Sequence, residues 1–222
     1  AGPVVQEVEQ VFDAFWNSEV TMPIDALVRA RKPKLDRLRA NLAEAATAKS
    51  AQPYVRQAME RVSLMVMFNS LLPVNWTTAV RIVADPPEKA LNRNSENWIM
   101  ATLLPVIASA ERSIAITSPY FVPGTEGVAL LTGMAGEGVE VSVLTNSLAA
   151  TDVAAVHGGY APYRRALLDG GVKLHELQPF LRKHQMSLFG SKGASLHTKA
   201  FAIDGHTGFV GSFNFDPRSA SL

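Results

Sequence analysis

The 222-residue sequence contains no cysteine. That excludes a disulfide framework, a thiolate metal site and a cysteine nucleophile. No apolar run approaches the roughly 18 residues that a bilayer span requires. The longest candidate, Trp98 to Ala110, is short and contains Pro105. An excess of one charge is also missing: 21 Lys and Arg stand against 20 Asp and Glu. A surface given over as a whole to nucleic acid is thereby excluded, and no nucleic-acid partner is expected. Ala1-Gly2-Pro3 lacks an initiator Met, a basic n-region and an apolar h-region. Ala220-Ser221-Leu222 follows directly on a strand-like segment, so both ends read as cuts through a longer protein. What is present is core-forming: 47% of residues are hydrophobic and 18% charged.

Helical spacing dominates the first third. Val5, Val8, Phe12 and Phe15 fit one face of a helix over residues 4 to 19, with Trp16 beside them. Leu35, Leu38 and Leu42 predict a second helix, and a third is expected from Pro53 to about Met65. Residues 21 to 75 therefore read as a mostly helical connector, and residues 1 to 20 as the end of a preceding unit. From Trp76 the pattern changes. Thr77 to Val83 reads as a strand closed by Asp85-Pro86-Pro87, and a helix is expected over about 96 to 111. Strands at Ile114 to Thr117, Val139 to Thr145 and Val172 to Leu177 alternate with helices over about 125 to 135 and 158 to 169. Such alternation predicts an α/β domain over 76–222, with helices flanking a mixed, mostly parallel sheet. Functional loops gather beyond the carboxyl ends of the strands of such sheets. Tyr120 and the loop from Asn146 to Gly158 lie at such ends.

The segment from Ser195 to Asn214 reads as a hairpin around Asp204-Gly205. His197 and Lys199 are two apart, as are Ser212 and Asn214, and residues two apart on a strand share a face. With Gly205 to Gly208 as the loop, Lys199 faces Asn214. One face then carries an imidazole, an ammonium, an amide and a hydroxyl. That set suits a tetrahedral phosphate anion, which Lys, Asn and Ser can hold while His attacks it or moves a proton. A register slip of one residue scatters the set.

The spacing His-x-Lys-x4-Asp-x6-Gly-Ser-x-Asn, at His197, Lys199, Asp204, Gly211, Ser212 and Asn214, resembles the HKD signature of the phospholipase D superfamily. The wider chain is similar to bacterial cardiolipin synthases, the C type above all. That likeness rests on Phe12 to Ser18, Ala84 to Lys89, Ser118 to Pro123, Leu144 to Ser147 and Gly211 to Ser219. The resemblance implies a phosphatidyl group passed between phospholipids, phosphatidylglycerol or phosphatidylethanolamine, through a phosphohistidine, without metal or other cofactor. It implies catalytic His197, Lys199 and Asp204, with Ser212 and Asn214 at the substrate. His197 is expected to act as acid and base, the nucleophile being the alternative. The resemblance further implies a second HKD copy preceding Ala1, and a carboxylate beyond Leu222 that orients the histidine. A peripheral place on the cytoplasmic side of the bacterial inner membrane follows from it too. On its own, such a half is expected to be inactive. A hydrolytic phospholipase, a nuclease completed by dimerisation and a non-catalytic docking half-domain are the competing readings.

Other residues allow two readings each. His157 can contact a head group or be an ordinary loop residue, and Tyr120 with Phe121 can line a substrate pocket or finish a core strand. Asp204 suits turn chemistry as well as the site. Arg29, Arg31, Lys32, Lys34, Arg37 and Arg39 fit an anionic membrane surface or a solvated helix face. No histidine has a partner at metal-ligand spacing, so no metal is expected.

Overall fold

The computed structural model describes residues 3–27, 32–53, 55–56, 77–91, 98–178, 195–217 and 219. These fall into two compact units, Ala1–Ile82 and Val83–Leu222.

The first unit holds α1 (Val4–Trp16), the single turn α2 (Ile24–Leu27) and α3 (Lys32–Thr47). The apolar stripe of α1 is exposed, with Phe12 stacked on Trp16 at 5.6 Å between ring centroids. On α3, Arg39 pairs with Asp36 at 3.7 Å in an exposed i, i+3 contact. Arg29 and Arg31, the side chain of Lys32, and most of the expected third helix lie outside the described residues. The strand expected at Thr77 to Val83 does not form. With no partner strand beside it among the described residues, its backbone uses other acceptors: Ala79 N–H donates to Thr77 Oγ1 at 3.0 Å, and Ile82 N–H to Glu7 Oε2 at 2.9 Å.

The second unit is a five-stranded mixed sheet flanked by helices. Its strands are β1 (Ser113–Thr117), β2 (Glu140–Asn146), β3 (Lys173–Leu177), β4 (Lys199–Ile203) and β5 (Thr207–Gly211), in the order β3-β2-β1-β4-β5. β1, β2 and β3 run parallel, while β4 lies antiparallel to both β1 and β5. The helices are α4 (Ile99–Ala108), α5 (Gly124–Gly136), α6 (Ala154–Tyr160) and α7 (Arg164–Asp169). Period-two burial of Ile114 and Ile116, Val141 and Val143, and Phe201 and Ile203 builds the core, onto which α5 brings Leu131 and Met134. The expected helix over 158 to 169 instead starts at Ala154 and is interrupted by a 3-10 turn at Ala161–Tyr163. Pro162 has no N–H with which to continue the α ladder.

The amino-terminal edge of this unit is tied to its far end. Asp85 Oδ1 accepts from Ile99 N–H, the first free donor of α4, at 2.7 Å. Asp85 Oδ2 accepts from the buried Lys89 Nζ at 2.8 Å, and Lys89 also donates to the Ser219 carbonyl at 2.9 Å.

Candidate active site

Three parallel strands end on one edge of the sheet, at Thr117, Asn146 and Leu177. Because β4 and its partners run antiparallel, β4 begins at that same edge with Lys199, and β5 ends there with Gly211. Lys199 is only 8% exposed. Its Nζ donates to the His197 carbonyl at 2.9 Å and stands 5.9 Å from the centroid of the Tyr120 ring. Among the described residues that is its one hydrogen bond, so two of its three N–H groups remain for an anion. Burial pushes the Lys199 ammonium below its ordinary value, and the Asp152 carboxylate opposes that shift. His197 is exposed, two residues before the strand.

The segment before Lys199 is held from β2. Asn146 Oδ1 accepts from Leu196 N–H at 2.9 Å, and Asn146 Nδ2 donates to Leu196 O at 3.1 Å. The buried amide thus stands in for a neighbouring strand at the residue next to His197. Across the edge, Tyr120 Oη donates to both oxygens of Asp152, at 3.0 and 2.9 Å. The phenol is pushed up by burial first, then by this hydrogen bond and by the charges of Asp152 and Asp216.

The hairpin register differs from expectation. Lys199 pairs with Gly211, not with Asn214, and Ile203 pairs with Thr207. The loop is only Asp204-Gly205-His206, because Asp204 (φ 53°) and Gly205 (φ 77°) both adopt positive φ and His206 N–H closes on Ile203 O at 3.1 Å. Continuing β5 in this register would put Phe213 on the Lys199 face, and Phe213 is in the core. The chain bends at Ser212, which is exposed, so the single shared strand face does not exist. Asn214 is held by contacts outside the strand. Its N–H donates to Ser219 Oγ at 3.3 Å, and the next residue is fixed against the loop that carries Tyr120, with Val122 N–H donating to Phe215 O at 2.6 Å. The Asn214 Oδ1 is buried without a hydrogen-bond partner among the described residues. An amide left unsatisfied in this way is costly unless a ligand completes it.

Asp204 lies elsewhere. Five residues along β4 from Lys199, it is about 16 Å away. Its carboxylate accepts from Glu111 N–H at 3.0 Å and from Arg112 and Ser113 N–H at 2.8 Å each. These hydrogen bonds, that from Glu111 foremost, hold its carboxyl at about 2. Asp204 therefore closes a turn at the opposite edge of the sheet, in keeping with the turn chemistry that its place in the hairpin suggested.

A model described as cardiolipin synthase, PLD-like domain, matches residues 103–222. The chain belongs to the phospholipase D-like family. Cardiolipin synthase C of Escherichia coli (strain K12) is 37% identical over 227 residues, covering 100% of this chain and 48% of that protein. An uncharacterized protein of Helicobacter pylori (strain ATCC 700392 / 26695) is 27% identical over 230 residues, covering 100% of this chain and 44% of the other. This phospholipase D-like chain thus spans about half the length of the curated relatives it matches. Among solved structures, the phospholipase D family member Nuc from Salmonella typhimurium aligns over 56% of this chain and 69% of its own. The identity is 22% and the TM-score 0.41.

The remaining expected residues of this phospholipase D-like domain are split. Tyr120 stands beside Lys199, whereas Phe121 is fully buried in the core. His157 packs edge-on against Tyr160 at 5.6 Å and lines a small hollow with Asn146, Thr145 and Pro119. Its Nδ1 is buried, and no hydrogen bond joins it to His197 or Lys199. No group of three His, Cys, Asp or Glu able to hold a metal exists among the described residues. Sequence reasoning assigned no role to Asn146 or to Asp152. A polar residue ending a buried strand was the available signal for Asn146. Asp152 had only its place in the loop beyond β2.

Proposed function

We propose that the protein containing this chain is a phospholipase D-type phosphatidyltransferase that makes cardiolipin, with His197 as acid and base and Lys199, Asn214 and Ser212 on the phosphate. The nucleophile is a histidine of a second HKD copy supplied outside these 222 residues. In the first step its nitrogen forms a bond to phosphorus, the bond from phosphorus to the leaving alcohol breaks, and His197 gives that alcohol its proton. In the second step the acceptor hydroxyl gives a proton to His197, its oxygen bonds to phosphorus, and the phosphorus–nitrogen bond breaks. An imidazole serves both steps because its ordinary pKa lies near neutrality. Lys199 and the Asn214 amide stabilise the charge on the phosphate oxygens in both. Phosphatidylglycerol or phosphatidylethanolamine is the donor. The enzyme works as a peripheral protein at the cytoplasmic side of the bacterial inner membrane. No helix among the described residues is long and apolar enough to cross a membrane.

The observation that carries this reading is the pairing of a buried ammonium, free for an anion, with an exposed imidazole two residues away. The likeness to cardiolipin synthase C supports the choice of lipid. The intact protein supplied with phosphatidylglycerol vesicles is expected to form cardiolipin, read by mass spectrometry, and His197→Ala and Lys199→Ala are each expected to slow it by about 100-fold or more. Release of phosphatidic acid alone would assign hydrolysis instead. Undiminished cardiolipin formation by Lys199→Ala would overturn the site.

A further inference from the structure

The site contains a carboxylate where an anion is to bind. Asp152 repels any phosphate that Lys199 attracts, so its presence needs a physical reason. Among the described residues its hydrogen bonds come from one side chain: both of its oxygens accept from Tyr120 Oη, at 3.0 and 2.9 Å. The same Tyr120 ring stands under Lys199 Nζ at 5.9 Å from its centroid. Three side chains from three separated segments thus form a line of carboxylate, phenol ring and ammonium. A phenol donating to a carboxylate carries more electron density on its ring, and a richer ring face holds a cation better. The two fixed hydrogen bonds also set the ring's orientation.

We infer that Asp152 and Tyr120 are a positioning pair that keeps the Lys199 ammonium charged and aimed while no phosphate occupies the site. This rests on the proposed role of Lys199 at the phosphate. Lys199 is buried, and its one hydrogen bond among the described residues is to a neutral carbonyl. Burial of an ammonium disfavours the charged form, and a nearby carboxylate restores it. The charged or titratable groups around it among the described residues are few. Asp152 comes from the segment after β2, His197 from its own segment, and Asp216 from the segment after β5, acting on Tyr120. The flanking strands β1 and β5 carry none. Once a phosphodiester binds, its own negative charge takes over the task. The pair therefore matters in the free enzyme and little in the substrate complex.

That asymmetry can be measured. The pH dependence of kcat/KM reports the free enzyme, and that of kcat the substrate complex. Both are measured for the intact protein on a monomeric nitrophenyl phosphodiester, whose leaving group needs little proton from His197, with Asp152→Asn, Asp152→Glu, Tyr120→Phe and Lys199→Ala. Asp152→Asn is expected to move the alkaline limb of kcat/KM to lower pH. On that limb its kcat/KM falls about three- to ten-fold below the parent, the kcat limb staying in place. Asp152→Glu should restore the limb. Tyr120→Phe, which keeps the ring and cuts the tether, should move it in the same direction by less. A general loss of rate at every pH, with neither limb displaced, would mean a merely structural loop contact and would overturn the inference. Should Asp152→Asn fold poorly, an unmoved limb in Tyr120→Phe overturns it equally. A fully active Lys199→Ala takes down the site reading itself. An inactive Lys199→Ala with unmoved limbs elsewhere takes down this inference alone.

Discussion

The Asn146 side chain grips the backbone of Leu196 by both of its polar atoms, accepting at 2.9 Å and donating at 3.1 Å. Fifty residues separate the two, so the last residue of β2 sets the position of the segment that presents His197 and Lys199. Asn146→Ala would leave the Leu196 N–H and carbonyl without these partners. A loss of about 1–3 kcal/mol is expected from the denaturant midpoint. kcat should fall more than the stability change explains, since a small displacement of a reacting group is costly. Asn146→Asp keeps the acceptor and sets a carboxylate against the Leu196 carbonyl, so it should fall between the two. Unchanged kcat in a folded Asn146→Ala would show that the grip is incidental.

Asp204 supplies a pH signature remote from the site. Its carboxyl is held at about 2 by the Glu111, Ser113 and Arg112 N–H groups, against an unfolded value near 3.8. A depressed carboxyl stabilises the fold above the unfolded value, and that contribution disappears as pH falls towards about 2. Asp204→Asn, which keeps an acceptor and tolerates positive φ, is expected to flatten stability between those limits. Urea unfolding at a series of acid pH values measures it. Activity at neutral pH should be largely retained, and a loss comparable to that of Lys199→Ala would return Asp204 to the chemistry.

Much of the sheet was legible because buried strands declare themselves. Ile114 with Ile116, and Val141 with Val143, alternate as two-period patterns, and the strands formed within a residue or two of their expected bounds. Thr77 to Val83 carries the same β-branched residues without forming a strand, since composition does not supply a partner. The hairpin was expected from Asp204-Gly205, yet its register was not. Whether an Asp-Gly pair closes three or four residues depends on Asp204 adopting positive φ, which the remote Glu111 to Ser113 amides secure. The register moved by three residues, from Asn214 to Gly211 opposite Lys199, and an odd shift assigns Phe213 rather than Asn214 to the Lys199 face. The roles of Asn146 and Asp152 were hidden for a related reason. Each acts on a residue distant in sequence, and neither partner lies at a spacing that a motif records.

Lys89 links the two ends of the second unit. It is buried, with Asp85 at 2.8 Å and the Ser219 carbonyl at 2.9 Å, and Ser219 Oγ accepts from the Asn214 N–H. Lys89→Met should destabilise by about 2–3 kcal/mol, somewhat less than a fully buried pair because Asp85 retains solvent access and the Ile99 N–H. Because Ser219 is released, KM for the phospholipid should rise with kcat less affected. Equal losses of kcat and kcat/KM would place the effect on the chemical step.

In the proposed mechanism His197 moves a proton and Lys199 holds charge, and leaving-group chemistry separates the two. The intact protein, His197→Ala and Lys199→Ala are compared on a natural alcohol leaving group and on a nitrophenolate one. General acid help is worth about 10²- to 10⁴-fold, and a nitrophenolate needs little of it. His197→Ala is therefore expected to lose far more on the natural substrate than on the activated one. Lys199→Ala should lose similar factors on both, because charge on the phosphate oxygens develops whatever departs. Equal losses for both substrates in His197→Ala, with no phosphate trapped on any other histidine, would contradict this division of roles and make His197 the nucleophile.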